Sequence, residues 1–219
     1  AGGSVMLSSL SMASIDAVTA ESGALIDVSG DQQGAVAGKK GRVTMRAYRG
    51  TTGSANTVNV AFATTAAVKG AEEVRLEGVK VYNSATFATN TSTIVTDTNA
   101  FYTANPGSGS YAATQDGATI SVLPNIEVRS TGTATPTDMT IATDLNMRAL
   151  GALQAGKGGT LTLRANKDLK VNGSLSDGFS TAVSTTGILQ TGNTFSYELV
   201  SSADFSAANP MATIKSATS

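Results

Sequence analysis

The sequence predicts an all-β chain wound as a parallel β-helix, a solenoid of short strands. Three observations predict it. Short runs alternate apolar and polar residues along nearly the whole chain. The runs come in pairs, separated by residues that suit a corner. One loop-strand unit is written twice: residues 37 to 47, AGKKGRVTMRA, and residues 155 to 165, AGKGGTLTLRA, share seven of eleven positions.

The alternation begins with Val5-x-Leu7, Ile26-x-Val28, Val43-x-Met45-x-Ala47, Val58-x-Val60-x-Phe62 and Val74-x-Leu76. It continues through Val79-x-Val81, Ile120-x-Val122, Ile126-x-Val128, Met139-x-Ile141 and Leu145-x-Met147. Leu161-x-Leu163, Leu169-x-Val171 and Phe195-x-Tyr197-x-Leu199 complete the series. Period two sends successive side chains to opposite faces, so each run reads as a strand with one buried side. The inward row is expected to hold Val43, Met45, Val58, Val60, Val74, Leu76, Ile120, Val122, Ile126, Val128, Met139, Ile141, Leu161, Leu163, Leu169 and Val171.

Gly78, Pro124-Asn125, Asp144 and Asn166-Lys167-Asp168 separate paired runs and are expected to turn the chain. Gly, Asn and Asp tolerate the backbone a corner needs. Pairs recur at intervals of about 15 to 22 residues, in the range of solenoid repeats. A single turn cannot bury its apolar row, so neighbouring turns must stack. An antiparallel sandwich would instead show longer strands joined by Asn-Gly or Asp-Gly hairpins, and few such pairs occur. The whole chain, 1–219, is therefore expected to form one β-helix segment.

Composition agrees with short strands and tight turns. Of the 219 residues only 5% are aromatic and 23 are Gly, so the core must be thin and aliphatic. With no His and no Cys, imidazole bases, thiol nucleophiles and the usual zinc sites are excluded. A net charge of −1 leaves no basic footprint for nucleic acid. No apolar run reaches the length of a membrane span. The first residues, AGGSVMLSSLSM, lack the basic and apolar regions of a signal peptide, so the chain is expected to be a piece of something longer or a processed product.

The second copy of the repeated unit looks at first like a phosphate loop, with Gly151, Gly156 and Lys157 in Walker-like spacing. A phosphate loop needs Ser or Thr after the Lys and then a helix. Here Gly158 follows, and Leu161-Thr162-Leu163 alternates as a strand. The unit is a Gly-rich entry into a strand. Asp27 with Asp31, Asp138 with Asp144, and Glu72 with Glu73 are the neighbouring carboxylates, and none recurs so as to build a metal or acid–base cluster. No catalytic, cofactor or metal residue is assigned, and the chain is expected not to be an enzyme. Arg46 and Arg164, on the polar side of equivalent strands, are expected on a solvated face.

Residues 83–118 break the rhythm and form a loop or short-helix excursion; residues 181 to 194 form a second irregular stretch. Ile94, Thr98, Phe101 and Tyr102 have helical spacing. Phe87, Phe101, Tyr102 and Tyr111 are the candidate contact surface, since exposed rings supply contact energy at low entropy cost. The competing reading makes these rings a cap on the core beneath the excursion.

Several blocks resemble the filamentous haemagglutinin-like large exoproteins of the two-partner secretion pathway. They are GALIDVSG, GKKGRVTMRA, VRLEGVKVYN, VLPNIEVRSTG, GGTLTLRANKDLKVNGSLSDGF and FSYELVSSADFSAANPMA, running in that family's order over roughly residues 23 to 211. The stretches around Leu169–Phe179 and Leu123–Gly132 are the most specific. Asn125 stands where the family pattern usually has Gly. The resemblance implies a right-handed parallel β-helix fibre, carried over the Gram-negative outer membrane by a barrel secretion partner and secreted or displayed on the cell surface. It is to a shaft segment, not to the family's N-terminal secretion domain. The implied function is a non-catalytic structural or adhesive shaft. Its possible partners are a glycan or cell-surface receptor, or neighbouring fibres through lateral contacts. The alternative is a polysaccharide-active β-helix, a lyase or hydrolase.

Overall fold

The computed structural model describes residues 2–9, 18–30, 40–50, 56–63, 66–106, 114–115, 117–130, 135–149, 157–179, 188–207 and 209–214. The first strands are β1 (Ser4–Ser8), β2 (Val18–Ala20), β3 (Leu25–Asp27), β4 (Gly41–Tyr48), β5 (Val60–Phe62), β6 (Ala67–Lys69) and β7 (Ala71–Asn83). A 3-10 turn, Phe87–Asn90, leads into helix α1 (Thr91–Ala104). Then come β8 (Thr114–Gln115), β9 (Thr119–Arg129), β10 (Met139–Ile141) and β11 (Leu145–Asn146). β12 (Lys157–Arg164), β13 (Leu169–Val171), β14 (Leu175–Ser176) and β15 (Asn193–Val200) follow. The chain is mostly β, and every pairing between the strands described below is parallel.

The chain gathers into two compact units, Ala1–Val79 with Thr103–Leu123, and Lys80–Tyr102 with Pro124–Ser219. In the first, β4 lies between β1 and β7, with Val5, Val43 and Val74 in one row and Leu7, Met45 and Leu76 in the next. β2 pairs with β5, and β6 joins β3 to β8. Like sits on like: Val43, Met45, Val74 and Leu76 have no exposed surface, and Val58, Val60 and Val68 are buried with them. In the second unit β12 lies between β9 and β15, with Ile126, Leu161 and Tyr197 in one row and Val128, Leu163 and Leu199 in the next. β10 pairs with β13 and β11 with β14. Its core joins Ile126, Val128, Met139, Ile141, Met147, Leu161 and Leu163 to Tyr82, Phe87, Ile94 and Tyr102.

The repeated loop-strand unit has a physical reason. Its copies deliver β4 and β12, and their second glycines, Gly41 and Gly159, sit where backbone crowds in. A Cβ on Gly41 would stand 2.2 Å from the Gly3 carbonyl oxygen, and one on Gly159 2.8 Å from that of Pro124. Both distances are shorter than real Cβ contacts, so the neighbouring strand can approach only over glycine. Residues 37–39 and 155–156 of the two copies lie outside the described residues.

Three expectations need correction. The chain does not turn at Pro124-Asn125, because β9 runs straight through them. Ile120, Val122, Ile126 and Val128 all share one parity, so the alternation is unbroken there. β7 likewise passes through Gly78, with Val79 buried on the face opposite Leu76. The expected corners at Asp144 and at Asn166-Lys167-Asp168 do separate strands. Finally, the inward row is incomplete: Ile120 and Leu169 are half-buried and Val171 is 45% exposed. Ile120 precedes the pairing of β9 with β12, which starts at Asn125. β13 has a partner on one side only among the described strands.

Candidate functional site

Helix α1 occupies the excursion, in a sequence, TSTIVTDTNAFYTA, that is poor in strong helix formers. Packing holds it instead: its buried residues are Ile94, Thr98, Phe101 and Tyr102, the stripe with helical spacing. The Tyr102 hydroxyl donates to the Gly158 carbonyl at 2.6 Å, and the Lys157 ammonium lies 5.5 Å from the Tyr102 ring centre. On the same helix Asp97 accepts from the Tyr82 hydroxyl at 2.8 Å and pairs with Lys80 at 2.6 Å.

This geometry corrects the expected contact surface. Phe87, Phe101 and Tyr102 are 4%, 0% and 2% exposed, so these rings face inward and offer no surface to a partner. Tyr111 lies outside the described residues. The helical spacing that predicted α1 also marked its buried side, and an apolar stripe on a surface helix turns toward the core. The exposed residues of α1 are Ser92, Thr93, Thr96, Ala100, Thr103 and Ala104. Beside its approach lies a cleft of about 260 Å³ between the 3-10 turn and the β10–β11 corner. Thr86, Thr91, Thr140, Thr143 and Asp144 contribute its polar groups, with Phe87, Ile141 and Leu145 below. Hydroxyls and one carboxylate over an apolar floor can hydrogen-bond a small hydroxylated ligand.

Arg46 and Arg164 are also corrected, from solvated to 1% and 0% exposed. Arg164 sends one nitrogen to Glu127 at 2.9 Å and another to the Asp204 carbonyl at 2.5 Å. Arg129 meets the same Glu127 oxygen at 2.6 Å. The Phe205 ring lies over both guanidinium groups, at 5.4 and 5.6 Å. Residues after β15 make this cover: the Ala203 amide donates to the Ala165 carbonyl and the Ser202 amide to that of Lys167. Next to it the Thr162 hydroxyl donates to Glu198 at 2.8 Å, within 3.3 Å of the buried Asn125 side chain. In the first unit Glu73 pairs with Arg42 at 2.9 Å and with Arg75 at 3.5 Å.

The remaining acids mostly serve the backbone. Asp27 and Asp204 are held below the usual carboxylate range first by hydrogen bonds from the Ser29 and Ser206 hydroxyls and then by those from the same residues' amides. Asp144 accepts from the Ser174 amide. Asp138 bonds Lys170, which lowers the acid and raises the amine. Asp177 differs: burial raises its carboxyl, although it accepts from the Phe195 amide. Nearby, burial and then the Asp177 charge raise the Tyr197 phenol, whose hydroxyl has no hydrogen-bond partner among the described residues. Sequence reasoning missed this pair, because Asp177 lies just after β14 and Tyr197 on β15, with no local spacing that links them. Among the described residues, no three acidic side chains gather where they could hold a metal ion.

Comparison with known protein families, curated proteins and solved structures finds no match to this chain.

Proposed function

We propose that this chain is a non-catalytic scaffold segment of a right-handed parallel β-helix. In this reading it is a shaft piece of a secreted or surface-displayed fibre of the filamentous haemagglutinin-like kind. The observation that carries the reading is the register of the parallel ladders. Equivalent strands stack apolar on apolar, and the repeated loop-strand unit recurs at equivalent strands, as stacked turns of a solenoid require. The use of the charged groups supports it, since most carboxylates close turns or neutralise cations that lie on strands. The family resemblance of the blocks from residue 23 onward adds an outer-membrane secretion partner and an extracellular location. Contact with a glycan, a cell-surface receptor or a neighbouring fibre would fall to the outward side of α1 and the threonine-lined cleft.

One observation favours a polysaccharide-active chain instead. A half-buried carboxyl raised above its ordinary value by burial, beside a half-buried phenol, is what a general acid requires. A single experiment separates the readings. The chain is incubated with a panel of neutral and acidic polysaccharides, and new reducing ends and unsaturated sugars are measured. The scaffold predicts none. Depolymerisation that disappears in Asp177→Asn would establish the enzyme.

A further inference from the structure

The threonine-lined cleft has a structural origin. β10 and β11 pair with β13 and β14 on one side. On the other side Thr140 bridges to Thr86, and its amide donates to the Ala85 carbonyl at 3.1 Å. The chain then coils into the 3-10 turn Phe87–Asn90 and α1. The cleft lies where it leaves the stack, and every residue that lines it is among those described.

Its wall is fixed while its polar groups are uncommitted. A Cβ on Gly173 would stand 2.2 Å from the Thr143 carbonyl carbon, so the β13–β14 corner packs directly on Thr143. One Asp144 oxygen accepts from the Ser174 amide at 2.8 Å, which holds the carboxylate in place. The other oxygen has no hydrogen-bond partner among the described residues, and neither do the Thr91, Thr140 and Thr143 hydroxyls. Ile141 and Leu145, 3% and 7% exposed, make the floor apolar. No lysine or arginine lines the cleft.

These features select a ligand class. A carboxylate oxygen carries two lone pairs and binds hydroxyl donors more strongly than a neutral acceptor does. Threonine hydroxyls donate and accept, so they suit a ligand that is itself rich in hydroxyls. The apolar floor suits a face of C–H groups. The volume, about 260 Å³, lies just under the roughly 300 Å³ at which sites for drug-sized ligands begin, so one ring fits and a chain does not. An anionic sugar would meet Asp144 with no cation in the lining to offset the repulsion. We propose that the cleft binds one neutral sugar ring, its hydroxyls on Asp144 and the threonines and its C–H face over Ile141 and Leu145. The site deepens the glycan contact proposed above and rests on that contact, not on the fibre.

Ligand-observed NMR titrations of the whole chain test it. Methyl glucoside and methyl galactoside are the neutral probes, glucuronic acid is the anionic one, and a glycan array is read alongside. Asp144→Asn keeps an oxygen for the Ser174 amide, and Ala142→Trp fills the cleft from an exposed lining position. Circular dichroism and melting should match the parent in both. Where Ala142→Trp melts early, Thr143→Val, an isosteric change at an exposed position, takes its place and should weaken binding severalfold. The parent should bind a neutral glycoside, and bind glucuronic acid at least about tenfold more weakly. Asp144→Asn should weaken the neutral glycoside about tenfold and narrow its lead over the acid. Ala142→Trp should abolish binding. Neutral-sugar binding that persists in folded Ala142→Trp, or an acid bound as tightly as the neutral probes, would overturn the site alone. So would a parent that binds array glycans but neither neutral probe. A parent that binds neither the probes nor any array glycan would overturn the site and the glycan contact together.

Discussion

Leu163 has no exposed surface and lies between Val128 on β9 and Leu199 on β15. Leu163→Ala should therefore cost about 2 to 5 kcal/mol in a denaturant titration, the range for truncating a buried leucine. A loss near zero would mean that the inward and outward sides are assigned the wrong way round. Glu127 is equally buried, but its role is charge: it faces Arg164 and Arg129 together. Glu127→Gln leaves the buried Arg164 and the partly buried Arg129 with one neutral partner and should cost roughly 3 to 5 kcal/mol. Arg42→Ala, at an exposed pair, should cost no more than about 1 kcal/mol. Asp177 adds a pH dependence. Its carboxyl is raised by burial, so in the window above the ordinary aspartate value the folded chain holds more proton than the unfolded one. Its contribution to stability thus falls as pH rises through that window. Asp27, Asp138 and Asp204 are lowered and act oppositely, losing their contribution as pH falls below the usual range. Asp177→Asn should gain stability over the parent as pH rises from about 4 and level off above the raised value. Paired melts across pH read the difference directly, and a difference that stays constant would show that Asp177 is not the group involved.

At the scale of the element, α1 shows what the sequence makes legible. Ile94, Thr98, Phe101 and Tyr102 announce a helix by spacing, and the same spacing names its buried side. Reading the rings as a contact surface ignored that an amphipathic stripe turns inward. β9 carried its own signal too, since the unbroken parity from Ile120 to Val128 outweighs a Pro-Asn pair. Arg46 and Arg164 could not be read in this way. Their polarity points outward by alternation, and Arg164 is buried only because Ala203, Asp204 and Phe205, some 40 positions on, fold over it. That is a tertiary contact with no local signature. The helix itself can be tested. Tyr102→Phe removes the donor to Gly158 and should cost about 1 kcal/mol or slightly more. Phe101→Ala should cost about 3 to 5 kcal/mol, because the ring is fully buried. If both variants melt with the parent, α1 is not anchored by this stripe.

For the whole molecule, the burial of α1 decides how a contact role can be examined. Removing residues 83–118 would take Ile94 and Tyr102 out of a core that includes Ile126, Val128 and Met139. Such a deletion should damage the fold, and a loss of attachment would then say nothing about contact. The outward side is the proper target. Ser92, Thr93 and Thr96 are exposed on α1 and take no part in the buried stripe. Replacing all three by Glu adds charge where water already is, so stability should change little, as for surface substitutions generally. Ser92 and Thr93 in the first turn face the positive end of the helix, which favours an acid there. If the chain works as a shaft whose contacts come from this excursion, the triple variant should fold like the parent while attachment to cells, or to fibres of its own kind, weakens severalfold. Binding is best measured against the parent at matched concentration. Attachment that survives the triple variant unchanged would remove the outward side of α1 from the binding surface and leave the excursion a purely structural part of the scaffold.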